Sequence, residues 1–289
     1  MSALWLVAVA VYLVVGGIHQ ALIKSLTDSL PRATSMAWQF GLAALMVFVF
    51  GVASGDLVIA PIGIAIAATG AINFFGAYCQ WRAYSFSLSR TSMLLPLVPL
   101  WAALLASALL SEAALYQETY LAVGIVLLHG AAFLLAWQRS PEASTSLDKS
   151  WLMFTLGMLA IQGSATLLVK VFADRVPHGL FLPYWYLGAF LGSMILLLFQ
   201  GDWIKLPPWG LRRIALSSAT MAGSMAAAFW AFQLAPAGLV LPLQSFGSAL
   251  LPMALGWLVF REAQRLNRYQ WTGFAVGAAG FIAVLAATL

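Results

Sequence analysis

Of the 289 residues, 63% are apolar, and only 14 Lys/Arg and 9 Asp/Glu carry charge. A soluble domain needs roughly a quarter of its residues charged to cover its surface, so this composition excludes an ordinary globular enzyme, a nucleic-acid binder and a disordered chain. The net charge of +5 is spread singly between apolar runs, which ties it to membrane topology and not to a polyanionic partner.

At about 20 residues per span, ten spans occupy about 200 residues and leave about 90 for connections. The first run, residues 2–24, has no basic leader and is longer than a signal-peptide core, so it reads as a retained helix. Runs at 33–53, 61–81, 91–111 and 119–138 follow, bounded by Pro, Gly or charge. Residues 139–150 are polar, contain Pro141 and have the composition of a linker. Runs at 151–170, 180–200, 211–233, 237–260 and 269–288 complete the chain. Pro96 and Pro242 fall about one turn inside helices 4 and 9 and are candidate hinges, because proline removes a backbone hydrogen bond and permits a kink.

The two groups of five are related. Residues 1–97 match 147–243 at a constant offset of 146, through pairs that include Trp5/Trp151, Gly17/Gly163, Lys24/Lys170, Asp28/Asp174, Pro31/Pro177 and Pro96/Pro242. After Pro242 the offset becomes 150, bringing Ser111-Glu112-Ala113 onto Arg261-Glu262-Ala263; four residues is about one helical turn and leaves the helix face unrotated. An odd number of spans per half makes the second half enter the membrane from the opposite side. The expected fold is therefore an all-α membrane protein of ten transmembrane helices, arranged as inverted five-helix repeats over 1–138 and 151–289.

With this order of motifs the chain resembles the drug/metabolite transporter superfamily, specifically its EamA-like ten-helix members. The resemblance rests on Gly16-Gly17-Ile18-His19 through Lys24, on Gln162-Gly163-Ser164-Ala165 through Lys170, on Leu95-Pro96-Leu97 and Leu241-Pro242-Leu243, and on Trp271-Thr272-Gly273. It implies transport by alternating access, with a cavity lined by helices 1, 3, 6, 8 and 9. Two departures leave the cargo open: Gln39 and Trp185 replace an Arg common in helix 2 of each half, and His19 replaces a common Asn.

Ionisable and polar groups inside a bilayer are costly and default to functional roles. The candidate substrate-binding residues are His19, Gln20, Lys24, Asn73, Tyr78, Gln162, Ser164, Lys170, Trp230 and Gln244. Lys24 and Lys170 have Asp28 and Asp174 four residues on, a spacing that pairs charges along one face; the alternatives are snorkelling to the interface or attracting an anionic cargo. His19 can exchange a proton or simply bond a neighbouring helix. Asn73 and Gln162 supply donors and acceptors without charge, and Trp230 a flat apolar wall. No acidic residue falls inside a helix, which argues against export of cationic drugs. Cys79 is the single cysteine, and no metal site, cofactor motif or catalytic constellation is present in the sequence, so an enzyme is not expected.

The reading is a secondary transporter of a bacterial inner membrane that exports a small metabolite such as an amino acid or related zwitterion. A lipid flippase, or an accessory subunit for a lipid-linked precursor, is the alternative. The expected partners are a small-molecule substrate and the lipid bilayer, with no nucleic acid. Twelve of the 14 Lys/Arg fall on the side of connections 1–2, 3–4, 5–6, 7–8 and 9–10, so positive-inside reasoning puts both termini outside, while the family resemblance puts both inside. Either way the termini share a side.

Overall fold

The computed structural model describes residues 4–27, 30–86, 91, 94–110, 112, 118–136, 149–200, 204–258 and 268–288. Those residues form ten helices and no strand: α1 (Leu4–Thr27), α2 (Arg32–Ser54), α3 (Pro61–Phe86), α4 (Leu97–Leu109), α5 (Thr119–Ala136), α6 (Lys149–Ala173), α7 (His178–Gln200), α8 (Pro208–Leu234), α9 (Ala237–Leu258) and α10 (Arg268–Thr288). Six of them, α1–α3 and α6–α8, are long and apolar enough to cross a membrane. The architecture is that of an α-helical, multi-pass membrane protein. Most of the linker interval 139–150, together with Asp28, Arg261 and Glu262, lies outside the described residues, as does the side chain of Lys24.

Local chemistry sets the helix boundaries. Pro31 and Pro207 stand at the N-caps of α2 and α8, where a missing N–H costs nothing, and Pro177 and Pro236 precede α7 and α9 in the same way. α2 ends at Gly55, whose φ of 73° lies in the left-handed region that favours glycine; its N–H bonds the Val52 carbonyl at 3.1 Å.

The fourth apolar run is interrupted at its proline. Thr91 and Leu94 are helical, Leu95 and Pro96 form a turn with Val98 N–H bonding Leu95 O at 3.0 Å, and Pro96 is the N-cap of α4. A proline ring clashes with the preceding turn of a continuous helix, and here the chain meets that conflict by breaking the helix at the proline. Pro242 behaves differently, since α9 runs through it without interruption.

Helices of one half pack mainly on helices of the other. α1 lies on α8 and α9, α2 on α7 and α8, α3 on α6 and α7, α4 on α6 and α9, and α5 on α9 and α10. The main core that results buries Trp5 and Phe74 of the first half alongside Phe181, Trp185, Phe229 and Phe232 of the second, and a small separate cluster joins Ala33 and Ala37 to Leu197. The Phe181 and Phe229 rings stack at 4.2 Å between centroids. Close backbone approach depends on glycine: a Cβ at Gly188 would overlap the Ala67 main-chain oxygen and one at Gly70 the Trp185 oxygen, so α3 and α7 touch main chain to main chain. Leu45, Phe48, Val49, Leu198 and Phe199 meanwhile stay exposed on the bundle's flank, which is how a lipid-facing helix differs from a soluble amphipathic one.

Candidate functional site

Polar side chains buried in this apolar bundle concentrate where the halves meet. Between α1, α2 and α8, the His19 Nδ1 lies 3.1 Å from the Ser217 carbonyl and 3.3 Å from the Ser217 hydroxyl. Gln39 Nε2 donates to that hydroxyl at 3.0 Å, and Ser218 Oγ donates to the Gln39 carbonyl at 2.9 Å. The imidazole has two alternatives: with Nδ1 protonated it donates to the carbonyl, and with Nδ1 bare it accepts from the hydroxyl.

A second group lies between α3, α4 and α6. Gln162 Nε2 donates to Gln80 Oε1 at 3.0 Å, and Trp101 Nε1 reaches Ser164 Oγ at 3.4 Å. The stem of Gln162 packs against Gly76, where a Cβ would come within 2.8 Å of it. Asn73 is half-buried on α3 and makes no hydrogen bond among the described residues. Tyr78, one turn beyond, accepts from Gln200 Nε2 at 3.4 Å. Among the described residues no hydrogen bond joins this group to the His19 group.

The remaining candidates occupy other contacts. Gln244 is buried on α9 with its Nε2 lacking an acceptor among the described residues, beside Ser245, whose hydroxyl donates to the Pro96 carbonyl at 3.1 Å. Trp230 packs, half-buried, against the core from α8, and Gln20 is half-buried on α1. Lys170 is only 8% exposed; its Nζ donates to Asp174 Oδ1 at 2.7 Å and to the Phe232 carbonyl at 2.8 Å. The expected spacing does pair Lys170 with Asp174, and the same ammonium also ties α6 to the end of α8. Gln233 Nε2 strengthens that junction through the Val176 carbonyl at 3.1 Å.

Three participants escaped the sequence reading. Ser217 and Ser218 look like small spacers in an apolar run, and Gln39 stood out only as a departure from a family pattern. The available signal was the repeat itself, which sets Gln39 against Trp185, Ser217 against Ala71 and Ser218 against Ile72: one half carries polar groups where the other is apolar. Glu112 has a role its helix-end position did not reveal. Its two carboxylate oxygens accept from the Ala237 and Gly238 N–H groups at 3.0 and 2.8 Å, capping the positive end of α9 from the far end of α4.

Among the described residues no group of three or more His, Cys, Asp or Glu side chains could hold a metal. No family model matches the chain, and no curated protein matches it. A solved structure described as "Crystal structure of protein" is similar, with a TM-score of 0.73 and 14% identity over 98% of this chain and 96% of that one. At that identity the likeness bears on the fold alone.

Proposed function

We propose that the chain is a ten-helix, inverted-repeat secondary transporter of the EamA-like kind, exporting a small zwitterionic metabolite such as an amino acid across a bacterial inner membrane. One observation carries the reading. Exchanging the halves converts the contact of α1 with α8 into that of α6 with α3, and both contacts are packed. Both also hold part-buried side-chain hydrogen bonds, His19 to Ser217 in one and Gln162 to Gln80 in the other. The contacts of α2 with α7, α4 with α9 and α5 with α10 map onto themselves under the same exchange. That pattern suits two similar bodies that rock about a shared axis, with cargo taken up between them near mid-depth.

Asn73 and Gln244 supply amide groups not consumed by hydrogen bonds among the described residues, which suits a zwitterion that must exchange water for fixed donors and acceptors. The test is counterflow of labelled amino acids in proteoliposomes, run beside scrambling of a labelled phospholipid. Saturable counterflow that falls in Asn73→Ala and Gln244→Ala supports the proposal. Scrambling without counterflow replaces it with the lipid-handling alternative.

A further inference from the structure

Four helix ends meet at the end of the bundle that carries the basic connections: the start of α2, the end of α3, the start of α6 and the end of α7. Arg32 opens α2 and Arg82 lies one turn before the end of α3. The two guanidinium groups are within electrostatic reach of one another and of the Tyr78 hydroxyl. Like charges in an apolar setting repel, and proteins normally separate them or place a carboxylate between them. Among the described residues neither happens here: both Nε atoms are buried without an acceptor, and neither guanidinium forms an ion pair or a hydrogen bond.

The surroundings are those of a receptor for an anion. Arg82 Cζ lies 5.2 Å from the Phe154 ring centroid and 6.0 Å from that of Phe86, and these two rings stack on each other at 6.3 Å. Aromatic faces held against a guanidinium fix its plane and leave its N–H edge to a ligand. Phe154 also packs edge-on to Tyr78 at 6.4 Å, steadying the phenol. Because the Tyr78 oxygen accepts from Gln200 Nε2, its own hydrogen remains free to donate. Pro31 leaves the α2 N-terminus without a side-chain cap, so its amide dipoles add to the positive potential.

We propose that Arg32 and Arg82, with the Tyr78 hydroxyl, form an oxyanion-binding site that takes one carboxylate or phosphate group between the two guanidiniums. Each fork can bind an oxyanion edge through two parallel N–H···O bonds, which a lysine cannot do. The group could belong to a soluble anion or to an anionic lipid headgroup at the same depth. The site does not depend on the cargo assignment, because a binding measurement reads it without transport.

The experiment uses the purified full chain in delipidated detergent, at fixed ionic strength, with thermal unfolding followed as chloride is exchanged for inorganic phosphate or succinate. In parallel, native mass spectrometry counts phosphatidylglycerol retained from mixed phosphatidylcholine/phosphatidylglycerol nanodiscs. Stabilisation by phosphate or succinate assigns a soluble oxyanion, and selective phosphatidylglycerol retention assigns a headgroup. Either result supports the site if the affinity falls at least tenfold in Arg32→Gln and in Arg82→Gln. The response must also persist in Arg212→Gln/Arg213→Gln, which alters the exposed groove at the start of α8. Should a Gln variant fail to fold, Arg32→Lys and Arg82→Lys carry the test, with the charge kept but the affinity about fivefold weaker for want of the fork. Equal unfolding temperatures in all three anions with unselective lipid retention overturn the proposal. So does an anion response that survives these Arg32 and Arg82 substitutions.

Discussion

Gln39 is 2% exposed and is bonded through both its side chain and its main chain to consecutive serines of α8. Truncating it opens a void but leaves the Ser217 hydroxyl its contact with His19 Nδ1, whereas removing that hydroxyl strands the buried Gln39 Nε2 without its acceptor. Gln39→Ala and Ser217→Ala are therefore each expected to cost about 1–3 kcal/mol, and thermal unfolding in detergent should show that neither loss is negligible. Lys170 and Asp174 invite the same comparison. The carboxylate side chain is 52% exposed, so water replaces its partner when Lys170 is retained, and Asp174→Asn should cost at most about 0.5 kcal/mol. Lys170→Met instead removes the donor to the buried Phe232 carbonyl and should cost about 1–3 kcal/mol, read by the same unfolding measurement. Near-equal losses would mean that the ion pair, and not the tie between α6 and α8, is what Lys170 contributes.

At the scale of elements, small residues decide how closely helices approach. Between α3 and α7 there is no room for a Cβ at Gly188, because the obstacle is main-chain oxygen that cannot rotate away. Gly188→Ala should spread the pair and abolish a monodisperse peak in size-exclusion chromatography. Gly130 on α5 has nothing within 4 Å of where a Cβ would stand, so Gly130→Ala should keep that peak and gain about 0.5–1 kcal/mol from helix propensity alone. The join between α4 and α9 is electrostatic instead. Glu112→Gln leaves one oxygen for two N–H groups and removes the charge from the helix end, an expected loss of about 1–2 kcal/mol that thermal unfolding detects.

For the whole molecule, pairing across the halves makes each half depend on the other for burial. α1 without α8 and α9, or α6 without α3, exposes Trp5 or Trp151, which are 2% and 7% exposed in the complete chain. The proposed ten-span arrangement, with its even number of spans, requires both termini on one side of the membrane. Reporters fused before Met1 and after Leu289 should give the same compartment, and opposite compartments would break the ten-span arrangement. The Arg212/Arg213 groove and the Arg32/Arg82 pair should then share whichever face the basic connections occupy.

Composition and the length of the apolar runs were enough to determine a helical, membrane-type chain, because satisfying the backbone in an apolar setting leaves few other solutions and twenty-residue runs mark the segments. The proposed division into two halves rests on the offset of 146, where rare Trp, Lys, Asp and Pro matches weigh more than Leu and Ala matches, which carry no information. Local proline chemistry was legible at the starts of α2, α7, α8 and α9, but it does not say that the chain breaks its helix at Pro96 and runs uninterrupted through Pro242, since one residue type serves both arrangements. Partnership was not legible. Nothing in the spacing of His19, Gln39 and Ser217 says that three helices bring them together, and Arg32 and Arg82 read only as two more charges at helix ends. Which polar groups meet depends on helix rotation and depth, set by packing across some 200 residues of separation, and only the tertiary structure decides that.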